Sequence, residues 1–242
     1  MKKILSVALI LCLVLALAPM AFADNPVVKI GVFEPQSGDN GAGGKQEVLG
    51  MQYANQQTPT VEIDGTTYDV QLVYADNASS NDKAPTAAQI IAKADTQALG
   101  MPILAGDTWD SNVILNAAKG TDVRICVTTF YQEGADEEFD KGIKEWIKSD
   151  ATALANNGGN DELAAVTVMG YDAYYVALEA LKAAGSVDPE DVLEAIPSVE
   201  YAGVTGNIAF DDIGDALRDS AFVKECNTET GVWDFVTVAT VG

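Results

Sequence analysis

Pro102-Ile-Leu-Ala-Gly-Asp-Thr-Trp-Asp-Ser111 reads as a short buried strand, a glycine turn and a helix start. The apolar run is too brief for a helix, and Gly106 interrupts it. Ser111 is a good N-cap for a helix running to Ala118. A strand that turns at its C-terminal end into a helix is the repeating unit of α/β proteins. Open α/β sheets hold their ligands in the crevice beyond such strand ends. An ionised Asp107 there can pair with an ammonium group, and Trp109 can cover a ligand or add a cation–π contact. The alternative is structural: Asp110 or Ser111 caps the helix and Trp109 enters the core.

Outward from this stretch the same alternation continues. Upstream, 27–33 is a buried strand, 37–44 a glycine-rich loop, and 45–55 a helix with Val48, Leu49 and Tyr53 on one face. Asp64-Gly65 is a turn, 68–74 a strand, 76–82 a polar loop, and 84–99 a helix closed by Gly100. Downstream, 123–129 is a strand and 136–148 an amphipathic helix whose seam includes Phe139, Ile143 and Ile147. A loop over 151–159 precedes a long helix, 163–184, ended by Gly185. Asp188-Pro189 opens a short helix to Ile196, and 204–210, 221–226 and 233–238 are strands. Such alternation predicts an α/β fold with a largely parallel sheet.

Composition narrows the function. Lys2 and Lys3 precede an apolar run over 4–18, and Ala21-Phe22-Ala23 follows; this predicts a secretory signal cleaved after Ala23. The run is shorter than the about 20 apolar residues of a membrane span. Leu11 is too large for a lipoprotein cleavage site ahead of Cys12. A free periplasmic protein is therefore expected. Apolar residues make up 48% of the chain, enough for a packed core. The net charge of −22 grows more negative once Lys2 and Lys3 are removed, and it repels nucleic acid and anionic lipid. Cys126 and Cys226 lie in apolar, strand-like runs, which favours buried free thiols over a disulfide. With no histidine, Ser–His and Cys–His nucleophile pairs and histidine metal sites are excluded.

Other motifs fail on detail. The loop Ser37-Gly-Asp-Asn-Gly-Ala-Gly-Gly44 invites a phosphate, but G-x-G-x-x-G would need glycine where Gln46 stands. Asp136-Glu-Glu138 and Asp211-Asp212-Ile-Gly-Asp215 do not match a calcium loop. No metal and no cofactor are expected.

Six stretches, in order, carry a resemblance: Lys29-Ile-Gly-Val-Phe-Glu-Pro35, Gly43-Gly44, Ala75-Asp76-Asn77, 102–111, Gly170-Tyr-Asp-Ala173 and Gly203-Val-Thr-Gly206. Together they resemble the branched-chain amino-acid binding proteins of ABC transporters, with the type I periplasmic-binding fold. The resemblance implies two doubly wound lobes joined by three crossovers, with the ligand between them. It implies a monomer that is not an enzyme, captures an amino acid or similar small amide, and delivers it to a membrane permease. Asp107 matches the acidic residue that holds the ligand's ammonium; Thr108 and Trp109 line the same wall.

The chain departs from the family in length. It passes near Gln89 from what resembles the first lobe to what resembles the second. The segments are then a signal at 1–23, first-lobe pieces at 24–89 and 161–215, and second-lobe pieces at 90–160 and 216–242. The missing part supplies the family's carboxylate-binding loop and aromatic cover, so impaired binding is implied. A non-binding remnant or sensory module is the alternative, and a carboxylate-dependent hydrolase the rival of a different class. A join inside one helix predicts an incomplete doubly wound fold collapsed into one hybrid sheet, ordered 68–74, 27–33, 102–105, 123–129, in preference to the alternative of two incomplete lobes. In that sheet Asp107 would face no second lobe.

Overall fold

The computed structural model describes residues 25–38, 41–75, 103–211, 213–218 and 220–240. The expected signal at 1–23, the loop at 76–82, the helix at 84–99 and the join near Gln89 lie outside those residues.

β1 (Val27–Phe33) runs parallel to β3 (Thr66–Ala75), with Val28 opposite Val70 and Val32 opposite Tyr74. β2 (Thr60–Ile63) returns antiparallel to β3 through Asp64-Gly65. Both turn residues have positive φ, 45° and 74°, the backbone a tight two-residue hairpin requires. The turn is legible from sequence; β2, only four residues long, is not.

α1 (Gly41–Gln57) starts earlier than the sequence predicts, because the glycine run is its first turn and not a loop. Gly44 explains the difference: a Cβ there would overlap the Pro35 carbonyl oxygen and lie 2.9 Å from Pro35 Cδ. Glycine serves close approach here, not a bend.

A second sheet has the order β4-β5-β8-β9. β4 (Ile103–Ala105) is parallel to β5 (Ile125–Thr129), while β8 (Ser220–Asn227) and β9 (Val232–Thr240) join antiparallel. β6 (Tyr201–Gly203) and β7 (Gly206–Ile208) form a small hairpin in place of the single strand predicted over 204–210. The sheets are thus mixed rather than largely parallel.

The hybrid sheet does not form: β1 and β4 are edge strands of separate sheets. The reason is one of scale. Over the described residues β4 offers three positions, so the ladder they could add to β1 is short. The alternative contact is a close crossing of two helices. α1 crosses α5 (Ala165–Ala184), and neither helix has a side chain at the crossing points. A Cβ on Gly50 would overlap Thr167 O and lie 2.6 Å from Tyr171 N; one on Gly170 would overlap Glu47 O.

The remaining helices follow their caps. α2 (Asn112–Ala118) is capped by Ser111, and α3 (Glu137–Ser149) by Asp136, which accepts from Phe139 N at 3.0 Å. Phe139, Ile143 and Ile147 are buried, as their spacing predicts. α4 (Ala151–Asn156) replaces an expected loop, because Asp150 accepts from Thr152 N and Ala153 N. α5 ends at Gly185, left-handed at φ 60°, and α6 (Pro189–Ala195) follows.

Three apolar clusters result. Val28, Val61 and Val70 of the first sheet pack on Tyr174, Leu178 and Leu181 of α5. Tyr53 of α1 packs with the α3 seam and Val168 of α5. Ile114 and Leu115 of α2 cover Ile125, Val127 and Cys226 of the second sheet. Cys126 stands opposite Glu225, so Cys226 is one position out of register and points to the other face of the sheet. Both thiols are buried and free, as expected.

Candidate functional site

β4 ends at Ala105, and Gly106 in extended conformation leads into a 3-10 turn over Asp107–Trp109. Asp107 Oδ1 accepts from Thr108 N at 3.0 Å, so the carboxylate is held by its own turn. Asp107 and Trp109 are half-buried and Thr108 is exposed. Trp109 packs on the α2 cluster of the second sheet.

The turn also touches α5, which carries α1 on its other contacts. The carboxylate of Asp107 therefore lies within electrostatic reach of Glu47 on α1. Glu47 in turn shares a hydrogen bond with Glu34, just past the end of β1. Burial, the Glu34 hydrogen bond, and then the charges of Glu34 and Asp107 push the Glu47 pKa from 4.5 up to about 8. The hybrid sheet would leave Asp107 facing no second lobe; in the separate sheets the glycine crossing of α1 and α5 carries Glu47, bonded to Glu34, into its electrostatic reach. Three acids from distant positions converge, a field that attracts a cation and repels a carboxylate. Glu34 lies in the stretch 29–35 that carries the resemblance, but nothing in the sequence marks it, or Glu47, as a neighbour of Asp107.

Asp110 is not a helix cap, although its position before the helix allows that reading. It is fully buried and gathers three chain segments. Its Oδ2 accepts from Thr129 Oγ1 at 3.0 Å, Ala165 N at 3.0 Å and Lys224 Nζ at 2.9 Å. Lys224, on β8, is 1% exposed. The sequence does hold a signal: Phe222, Lys224 and Cys226 share one strand face, so a lysine sits at an inward position.

Two of the resemblance motifs also meet. Asp172 accepts from Val204 N at 2.9 Å, Thr205 N at 2.8 Å and Thr205 Oγ1 at 2.6 Å. Arg218 then donates to Thr205 O at 2.8 Å. Gly203 leaves room, since a Cβ would lie 2.6 Å from Asp172 Cγ. These motifs tie the β6–β7 hairpin to α5 and are structural. Among the described residues no group of three or more His, Cys, Asp or Glu is placed to hold a metal ion.

Comparison with known proteins agrees with this architecture. Residues 85–228, more than half of the chain, match the family described as periplasmic binding protein. The Leu/Ile/Val-binding protein homolog 1 of Brucella abortus (strain 2308) is 33% identical over 132 residues, 54% of this chain and 33% of that relative. The matched stretch spans about a third of the length of the curated relatives it resembles. A leucine-binding protein from Thermotoga maritima MSB8 is similar with a TM-score of 0.59 at 18% identity, covering 88% of this chain and 99% of the other. A branched-chain amino acid transporter substrate-binding protein from Streptococcus pneumoniae, solved with isoleucine, gives 0.62 at 12% identity over 89% and 99%. A solute-binding protein from R. palustris in complex with benzoate gives 0.55 at 10% identity over 88% and 96%. At these identities the likeness is one of fold.

Proposed function

The chain belongs to the periplasmic binding protein family, and from that premise we propose that it is an extracytoplasmic solute-binding protein for amino acids of the branched-chain type. It hands its ligand to the permease of an ABC importer. Its fold is the incomplete type I α/β fold of such proteins. The observation that carries the ligand class is the position of Asp107 beyond β4, opposite the Glu34–Glu47 pair. That arrangement favours an ammonium group and disfavours an aromatic carboxylate of the kind held by the benzoate complex. Thr108 and Trp109 share the turn, and in this reading line the same wall.

Binding is weak in this reading. The family's carboxylate-binding loop has no counterpart in the sequence, so the ligand keeps its ammonium contact and loses its carboxylate contacts. Each lost charge-assisted bond costs about 1.5–3 kcal/mol, roughly tenfold to a hundredfold in affinity. Calorimetry with leucine, leucinamide and benzoate tests this. Leucinamide should bind at least as well as leucine, benzoate should not bind, and Asp107→Asn should abolish both amine isotherms. A tight leucine isotherm, with leucinamide much weaker, would show that a carboxylate site is present and the proposal of impairment wrong.

A further inference from the structure

A cavity of about 230 Å³ lies between the loop after β5, the loop before α5, and strands β8 and β9. Asp107, Thr108 and Trp109 do not line it. Its walls hold an unusual set of groups. Lys224, 1% exposed, lines it with an ammonium that has three donors, of which one bond, to Asp110 Oδ2, accounts for one. Trp233 Nε1 and Gln132 Oε1 belong to lining residues, and both atoms are buried without a hydrogen-bond partner among the described residues. Behind Lys224, Asp110 Oδ1 is buried and unpartnered as well. Buried polar atoms are paired in more than about 90% of cases, so orphans gathered at one cavity call for a partner.

The opposite charge is present on another wall. Glu133 is already engaged, by an ion pair with Lys144 and by Leu163 N at 3.2 Å. The side chain of Glu162 makes no hydrogen bond among the described residues; burial and then the charge of Glu133 raise its pKa, against the Lys144 ammonium, which acts to lower it. A further cation in direct contact would favour its ionised form. Among the lining residues, Lys224 and Trp233 carry N–H donors, and Glu162 and Gln132 carry acceptors. A simple anion would meet Glu133 and Glu162; a simple cation would meet Lys224.

We propose that this cavity is a second binding site, for a small zwitterion of glycine or alanine size, with carboxylate toward Lys224 and Trp233 and ammonium toward Glu162. It is independent of the site at Asp107. The competing occupant is water, at roughly 30 Å³ per molecule.

Calorimetry on the full chain with glycine and alanine, and with acetate and methylamine as half-ligands, tests the proposal. Glycine or alanine should bind, and each half-ligand should bind at least about tenfold more weakly. Trp233→Phe keeps an aromatic ring but removes the indole N–H together with its five-membered ring; Glu162→Gln keeps the shape and removes the charge. Each should weaken glycine binding by about tenfold or more, with unchanged circular dichroism. Asp107→Asn should leave glycine binding intact, which separates this site from the first. A crystal of the full chain grown with glycine should show it between Lys224 and Glu162. Absence of heat with every zwitterion, unchanged affinity in both folded variants, or water alone in the cavity would overturn the proposal.

Discussion

Asp110 and Lys224 are one ion pair with almost no access to water, and the pair's worth depends on both members being present. Removing one partner leaves an uncompensated buried charge, which costs about 3–5 kcal/mol. Asp110→Asn and Lys224→Met should each lower stability by that order in urea denaturation, and the double substitution should recover part of the loss. A single-substitution cost near the about 0–1 kcal/mol of exposed pairs would show the site to be solvated. Glu47 makes a prediction in pH. Its folded pKa, about 8, lies above the ordinary 4.5, so the native chain holds a proton that the unfolded chain has released. This group's stabilisation is complete below 4.5 and is lost as pH rises through about 8. An arriving ammonium should expel that proton. Calorimetric binding heats near neutral pH should therefore depend on the buffer's ionisation enthalpy, and Glu47→Gln should remove the dependence. The place of Asp107 just beyond a strand end is legible in sequence because strand, glycine and acid are contiguous. The Asp110 hub is legible only at Lys224, a lysine at an inward strand position; no local pattern joins it to Thr129 and Ala165, which supply the other donors.

Elements with their own signals are the ones sequence predicts well. The caps at Ser111, Asp136 and Asp188, the α3 seam, the Asp64-Gly65 turn and the Gly185 terminus all depend on neighbours within a turn or two. The start of α1 escapes such reading because its glycines answer to Pro35 and the α5 backbone, contacts that sequence spacing does not reveal. This distinction predicts opposite signs for one substitution. Gly50→Ala and Gly170→Ala force α1 and α5 apart and should each cost about 1–3 kcal/mol. Because both act on one crossing, the double variant should lose less than the sum. Gly43, on the same helix, has nothing within 4 Å of the place an alanine methyl would occupy, so Gly43→Ala should stabilise by about 0.5–1 kcal/mol. Thermal unfolding of the four variants decides it; equal effects at Gly43 and Gly50 would show that the crossing is loose.

At the scale of the molecule, the alternation of strands and helices is legible in the sequence and the way it closes is not. Strand pairing inside each half follows from sequence, with 68–74 beside 27–33 and 102–105 beside 123–129. The two strand pairs stay in separate sheets, and the glycine-faced crossing of α1 and α5 instead seats a helix from late in the chain on the first sheet. The whole chain also carries −22 charges, with 36 acids against 14 bases. Self-repulsion among exposed acids should weaken as salt shortens the screening length, about 8 Å at physiological ionic strength. The thermal midpoint should therefore rise with added sodium chloride. A fall would mean that exposed pairs such as Arg124–Glu225 outweigh the repulsion. The α1–α5 crossing has one more effect, on the order of events in time. Asn55 reaches the Tyr174 hydroxyl across 119 positions, and Gln46 reaches Asn157 across 111. A chain emerging from its N-terminus makes the β1–α1–β3 unit long before the helix that seats it exists. Contacts of such separation make folding slow. The early half must wait, open and pliable, until the later half arrives to close it.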